Sequence, residues 1–260
     1  MDLRISGIQF DIAWENKECN IKVLEGLLNS VPSDSEVVLL PEMFTTGFSM
    51  NPQNLAESMS GPTVQWMQKK ATEFNFILCG SIIISENNTY RNRFLWVTPE
   101  GIIDHYDKRH LFAFAGENIH YRKGSKRKTF TYKSWKFMPG ICYDLRFPVW
   151  LKNNIDYHVL LNVANWPTSR AAHWNAFLVS RAIENQAYIF GLNRSGIDGE
   201  NRKYSGDSSI YDYEGKCIIK LGENEGIITA ILSMDKLMQY RSDFPFLKDQ
   251  DFFDLTNLKS

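Results

Sequence analysis

The chain has 260 residues, 43% hydrophobic and 23% charged, and its 29 basic and 30 acidic side chains leave a formal net charge of -1. That composition suits a globular protein with a large core, and the balanced charge argues against a general nucleic-acid binder. The apolar runs are strand-sized, so no membrane span is expected, and the opening MDLRISGI has an acid and no long apolar stretch, unlike a secretory signal.

Residues 3–12 read as an opening strand, and 16–29 as a helix with apolar Ile21, Leu24, Leu27 and Leu28. Residues 37–40 form a short buried strand ended by Pro41. A helix starts at Gly61 and Pro62 and runs through Phe74, with Pro62 suited to its first turn. Residues 76–84 are another buried strand, and 93–98 and 102–106 flank a hairpin turn at Pro99, Glu100 and Gly101. Residues 107–134 are polar and loop-like. A strand over 136–142 leads into a short helix over 147–153, and 157–163 is a buried strand. Residues 170–185 form an amphipathic helix with Trp174, Phe177, Leu178, Ala182 and Ile183 on its core face. Strands follow over 187–192, 208–213, 216–220 and 226–232, with a tight turn at Glu214 and Gly215. Early helices between strands and a hairpin-rich end predict a mixed sheet covered by helices. No linker or internal repeat divides the chain, so one domain over 1–246 is expected. A tail over 247–260, with Phe252, Phe253 and Leu255, is expected near a subunit interface.

Three strand ends carry unusual residues. Glu42 follows the buried run 37–40, where a carboxylate is expensive unless paired. Lys108 follows the second hairpin strand. Cys142 follows 136–141 at the start of a turn or helix, where backbone N–H groups favour a thiolate. Alone, each has a bland reading: structural acid, loop lysine, inert core thiol. Ligands in open α/β sheets gather at the carboxyl ends of strands, so the three can converge on one pocket. There Glu42 is the expected general base, Cys142 the nucleophile toward an acyl carbon, and Lys108 with the Tyr143 backbone N–H the stabiliser of the oxyanion.

Cys19, Cys79 and Cys217 lack such partners. The four cysteines form no C-x-x-C pair, which argues against a zinc motif or a disulfide framework and points to a reduced, cytoplasmic compartment. His110, His120 and His173 show no metal spacing, and His173 is expected to cap or pack its helix. The basic run over 122–128 reads as a solvated loop. No metal or organic cofactor is required.

The stretches Leu40-Pro41-Glu42, residues 106–112 (YDKRHLF) and residues 141–148 (ICYDLRFP) resemble the nitrilase superfamily of carbon–nitrogen hydrolases, over nearly the whole chain. The resemblance implies an α/β fold, a four-layer αββα sandwich, a homodimer, and a Glu–Lys–Cys set at Glu42, Lys108 and Cys142. A further match at Gly116 and Glu117, with Tyr121 and Gly124, implies that Glu117 positions the lysine and substrate. Residues 42–48 (EMFTTGF) and 164–167 (ANWP) are most similar to the ω-amidase branch. That likeness implies hydrolysis of the terminal amide of 2-oxoglutaramate and related ω-amides, in bacteria a step serving methionine salvage. Water is the second substrate. Another amidase or carbamoylase of the superfamily, or a catalytically silent scaffold, are the alternatives.

Phe48, Phe112, Asn165 and Trp166 adjoin the matching motifs and are expected at the pocket. A 2-oxo acid amide carries a carboxylate, so its pocket needs a cation. Arg146 and Arg170 are the candidates; Arg146 could equally pair with Asp144. Pro139 departs from the expected strand, where proline is uncommon, and predicts a bend or an early end.

Overall fold

The computed structural model describes residues 2–251 together with Phe253 and Leu255. Two six-stranded sheets stack face to face. The first contains β1 (Asp2–Gln9), β2 (Val37–Leu39), β3 (Ile77–Glu86), β4 (Thr89–Val97), β5 (Ile103–Asp107) and β14 (Gly226–Ser233), in the order β14-β1-β2-β3-β4-β5. The second contains β6 (Phe130–Tyr132), β7 (Trp135–Ile141), β8 (Val159–Ala164), β9 (Tyr188–Asn193), β12 (Ser209–Tyr211) and β13 (Cys217–Lys220), in the order β13-β12-β9-β8-β7-β6. Each has a parallel centre, β1-β2-β3 or β7-β8-β9, flanked by antiparallel strands. A hairpin of β10 (Ser195–Ile197) and β11 (Lys203–Ser205) stands apart. The helices are α1 (Lys17–Leu28), α2 (Pro52–Leu55), α3 (Pro62–Phe74), α4 (Glu117–His120), α5 (Pro148–Leu151), α6 (Ala171–Asn185) and α7 (Met234–Asp243).

Strand alternation builds the layers. Val37 and Leu39 of β2 face the core between the sheets, while Val38 and the following Leu40 face outward with Leu24 and Leu28 of α1 and Val64, Met67 and Ala71 of α3. Trp174, Leu178 and Ala182 of α6 join the core on the second sheet. The result is the expected αββα sandwich. Gly7 lets the sheets approach: a Cβ there would lie 2.5 Å from the Phe190 ring. Among the described residues, no helix is long and apolar enough to cross a membrane.

Several expectations need correction. The helix over 147–153 is a single turn, α5, which ends where the backbone becomes extended at Lys152. Ile183 is 44% exposed, since the inward face of α6 is formed by Trp174, Leu178, Arg181, Ala182 and Asn185, with Phe177 partly buried against the core. The loop over 107–134 contains α4 and β6, and β10, β11 and α7 were not legible. Pro139 neither bends nor ends β7: it pairs with Leu161 of β8, while β6 pairs only with residues 135–137, so the other flank of the proline has no strand in this sheet to bond. The tail is a separate matter: Leu255 packs against the core, Phe253 is exposed and Phe252 lies outside the described residues, so the tail's place at a subunit interface stands as a proposal.

Candidate active site

β7 delivers Cys142 to a sharp corner. Its backbone adopts φ +45°, a left-handed conformation that a residue with a Cβ takes only when its surroundings enforce it. Asp144 supplies much of that enforcement. Its Oδ2 accepts from the Ile141 backbone N–H at 3.0 Å and the Tyr106 hydroxyl at 2.8 Å. Its Oδ1 accepts from the His110 backbone N–H at 2.9 Å and meets His110 Nδ1 at 2.8 Å. Tyr106 and His110 bracket Lys108, so this buried carboxylate ties the lysine loop to the thiol corner. The expected Asp144–Arg146 pair is therefore absent: the Asp144 oxygens are occupied, and the Arg146 guanidinium lies over Trp166 and Phe177 and donates to His173 Nδ1 at 3.0 Å.

On the facing sheet, β2 ends before Glu42, and Met43 takes a second strained corner at φ +45°. Glu42 and Glu117 are fully buried and Lys108 is 1% exposed. Lys108 Nζ donates to Glu42 Oε1 at 2.8 Å and to both Glu117 oxygens at 3.0 Å. Glu42 Oε2 accepts from the Asn165 backbone N–H at 2.8 Å, and Glu117 Oε2 from the Phe112 N–H at 2.6 Å. Glu117, at the start of α4, is thus no surface acid. Asn165 is held on both sides: its Nδ2 donates to the Glu42 carbonyl at 2.6 Å, and its own carbonyl lies 3.9 Å from Cys142 Sγ.

Burial opposes the Lys108 charge, but Glu117 and Glu42 outweigh it and hold the ammonium above its ordinary range. Burial pushes the Glu117 carboxyl up; Lys108 opposes this and Glu42 adds to it. Burial, with the Glu42 carboxylate beside it, also raises the Cys142 thiol well above its ordinary value, against Lys108. These groups oppose the help that the backbone N–H groups were expected to give a thiolate. β7 runs into a five-residue 3-10 turn, Cys142–Arg146, rather than an α-helix, and a carboxylate stands next to the sulfur. A thiol held up in this way is suited to a base beside it, the part expected of Glu42.

Cys142 opens onto a cavity of about 510 Å³, whose wall includes all six residues expected at the pocket: Phe48, Phe112, Arg146, Asn165, Trp166 and Arg170. Lys108 Nζ reaches under it, 5.0 Å from the Phe48 ring centre. The wall contains no Asp or Glu but four cations, Arg146, Arg170, Arg202 and Lys203. Among the described residues, acids pair with Arg202 alone of these four, through Asp198 and Glu200. Arg170 lies flat on Phe112, 5.3 Å from its ring centre.

Sequence reading missed Asn92, Phe114 and the β10–β11 hairpin that brings Lys203 and Tyr204 to the wall. Asn92 sits in the polar first half of β4, between Arg91 and Arg93, so no break in an apolar run marks it in the sequence. Among the described residues, no group of three or more His, Cys, Asp or Glu could hold a metal ion.

The carbon–nitrogen hydrolase family matches residues 4–242. An Escherichia coli K12 protein named omega-amidase YafV is 41% identical over 255 residues, covering 97% of this chain and 98% of that protein. The Bacillus subtilis 168 protein named 2-oxoglutaramate amidase is 32% identical over 254 residues, 96% of this chain and 98% of that one. Among solved structures, XC1258 from Xanthomonas campestris, a CN-hydrolase superfamily protein with an arsenic adduct in its active site, has a TM-score of 0.95 at 38% identity, covering 98% of this chain and 99% of that chain.

Proposed function

The chain belongs to the carbon–nitrogen hydrolase family, and from that premise we propose that it hydrolyses the terminal amide of 2-oxo acid ω-amides, 2-oxoglutaramate foremost, through a thioester on Cys142. The observation that carries the substrate is the cavity wall: apolar and aromatic, with Arg146, Arg170 and Lys203 unpaired by acids and no carboxylate of its own. Such a wall repels cations and favours a small anion with an apolar stem. Arg170 takes the substrate carboxylate, and Arg146, part of whose fork already meets His173, assists. Two similar proteins named for ω-amide hydrolysis support the same choice.

The steps follow from the charges. Glu42 takes the Cys142 proton as sulfur bonds to the amide carbon. The oxyanion that forms meets the Lys108 ammonium and the Tyr143 N–H. The C–N bond breaks, nitrogen takes the proton from Glu42, and ammonia leaves. Glu42 then takes a proton from water, whose oxygen bonds to the thioester carbon. The C–S bond breaks, 2-oxoglutarate leaves, and the thiol regains its proton. Glu117 holds Lys108 in place from the other side. The proposal includes a homodimer in a reduced, cytoplasmic compartment, serving methionine salvage; a sizing run of the full chain and of a chain lacking 247–260 tests the dimer and the tail's part in it.

The decisive assay incubates the protein with 2-oxoglutaramate and follows ammonia and 2-oxoglutarate, with Cys142→Ala in parallel. Release of both products, lost in the variant, is expected. No release from the unaltered chain rejects the substrate, and no acyl-enzyme with any amide rejects the mechanism.

A further inference from the structure

Glu42 and Glu117 share one cation. Two buried carboxylates beside a single ammonium leave one negative charge uncompensated, and desolvation then favours uptake of a proton. A base that is already protonated cannot accept the thiol proton. Something besides Lys108 must keep the pair ionised.

Asn92, 1% exposed in β4, lies between them. Its Nδ2 donates to Glu42 Oε1 at 2.8 Å and to Glu117 Oε1 at 3.3 Å. The orientation of this amide follows from chemistry. The Met43 backbone N–H, which can only donate, bonds Ser81 Oγ at 2.9 Å. Ser81 Oγ donates to Asn92 Oδ1, 2.8 Å away. Both amide hydrogens face the carboxylates, and the reversed amide would set an oxygen against two anionic oxygens that have no hydrogen to give it. The chain of bonds begins at Met43, the strained residue next to Glu42, so the same corner that places the base also aims its donor.

We propose that Asn92 is a positioning residue of amide hydrolysis: its two amide hydrogens, aimed by Ser81, hold Glu42 and Glu117 in their proton-accepting state beside Lys108. This rests on the reading of Glu42 as the base. The other titratable groups facing the pair are the Cys142 thiol and Tyr121, whose hydroxyl donates to the Ser49 carbonyl at 2.6 Å.

The test measures kcat and KM for 2-oxoglutaramate from pH 5 to 9 in the unaltered enzyme, Asn92→Leu, Ser81→Ala and Glu42→Gln, with Cys142 titrated in each by alkylation. Losing a donor to an anion raises the carboxyl pKa, so the acid limb of kcat/KM is expected to move up by about one pH unit in Asn92→Leu. Well down the acid limb kcat/KM then falls by up to about tenfold while KM changes less than about twofold. Ser81→Ala moves the limb the same way by less, and decides alone if Asn92→Leu does not fold. An unmoved limb with only a smaller fraction of titratable thiol makes Asn92 merely structural and overturns the proposal. Glu42→Gln as active as the unaltered enzyme overturns the base reading and this proposal together. An inactive Glu42→Gln with an unmoved limb in Asn92→Leu overturns this proposal alone.

Discussion

The two sides of the cavity floor are built on opposite rules. Beneath it, Glu42, Lys108 and Glu117 are sealed from solvent and bonded to one another, to Asn92 and to backbone N–H groups. On the wall, Arg146 and Arg170 rest on aromatic faces, with no acid bonded to either guanidinium. On the function proposed, the difference separates two tasks. Groups that move protons must be fixed and desolvated, because their field acts most strongly where water is excluded. Groups that recognise a charged substrate must keep their donors free until it arrives. Cys142 stands where the two regions meet, the one member of the Glu–Lys–Cys set on the cavity wall.

The comparison breaks most completely at that meeting point. Cys142→Ala is expected to lower kcat by about 10⁴-fold or more and to leave substrate binding intact, measured by turnover and by calorimetric titration of 2-oxoglutaramate. Lys108→Met attacks the sealed side. It removes the oxyanion donor and leaves two buried carboxylates without a cation, so activity is lost and unfolding free energy falls by about 3 kcal/mol at pH 7. Denaturation should show that penalty shrinking toward pH 5 as a carboxyl takes up a proton; a pH-independent penalty would count against the shared charge.

On the open side, Arg170→Met is expected to raise KM for 2-oxoglutaramate about 10- to 100-fold with little change for an uncharged amide. Arg146→Met should do less. Equal effects on charged and uncharged amides would remove both from carboxylate binding. One effect outside both regions falls on stability and leaves activity untouched. Burial lowers His158 to about 4, and its Nδ1 accepts the Lys136 N–H at 3.0 Å, a bond only the unprotonated ring nitrogen can make. The unfolded chain takes up this proton near pH 6.5 and the folded one only near 4, so stability is lost as pH falls through that window, by up to about 3 kcal/mol. His158→Gln should flatten the slope of melting temperature against pH there.

Much of this architecture was legible in the residues. Val37–Leu39 shows as a buried strand because β-branched and leucine side chains run unbroken up to a proline, and α3 because Pro62 begins it and its apolar residues repeat at helical spacing. The small elements escaped notice for a physical reason. β10 and β11 are three residues each and mostly polar, stabilised by pairing with each other and by Arg194 beneath them, which lies 4.7 Å from the Tyr204 ring centre. Glu117 was readable only through its motif, since one turn of helix in a polar stretch has no periodicity of its own.

By itself the sequence determined which residue types stand at three strand ends, and so the class of chemistry, because strand ends follow from hydrophobic runs and the residues that stop them. Only the tertiary structure decided the state of those residues. Whether Cys142 rests as thiol or thiolate, whether Arg146 answers Asp144 or faces the cavity, and whether Asn92 meets one carboxylate or two depend on groups far apart in the chain. Charge and hydrogen bonding act across space, and the stacking of two sheets is what brings Glu42 and Cys142 into each other's field.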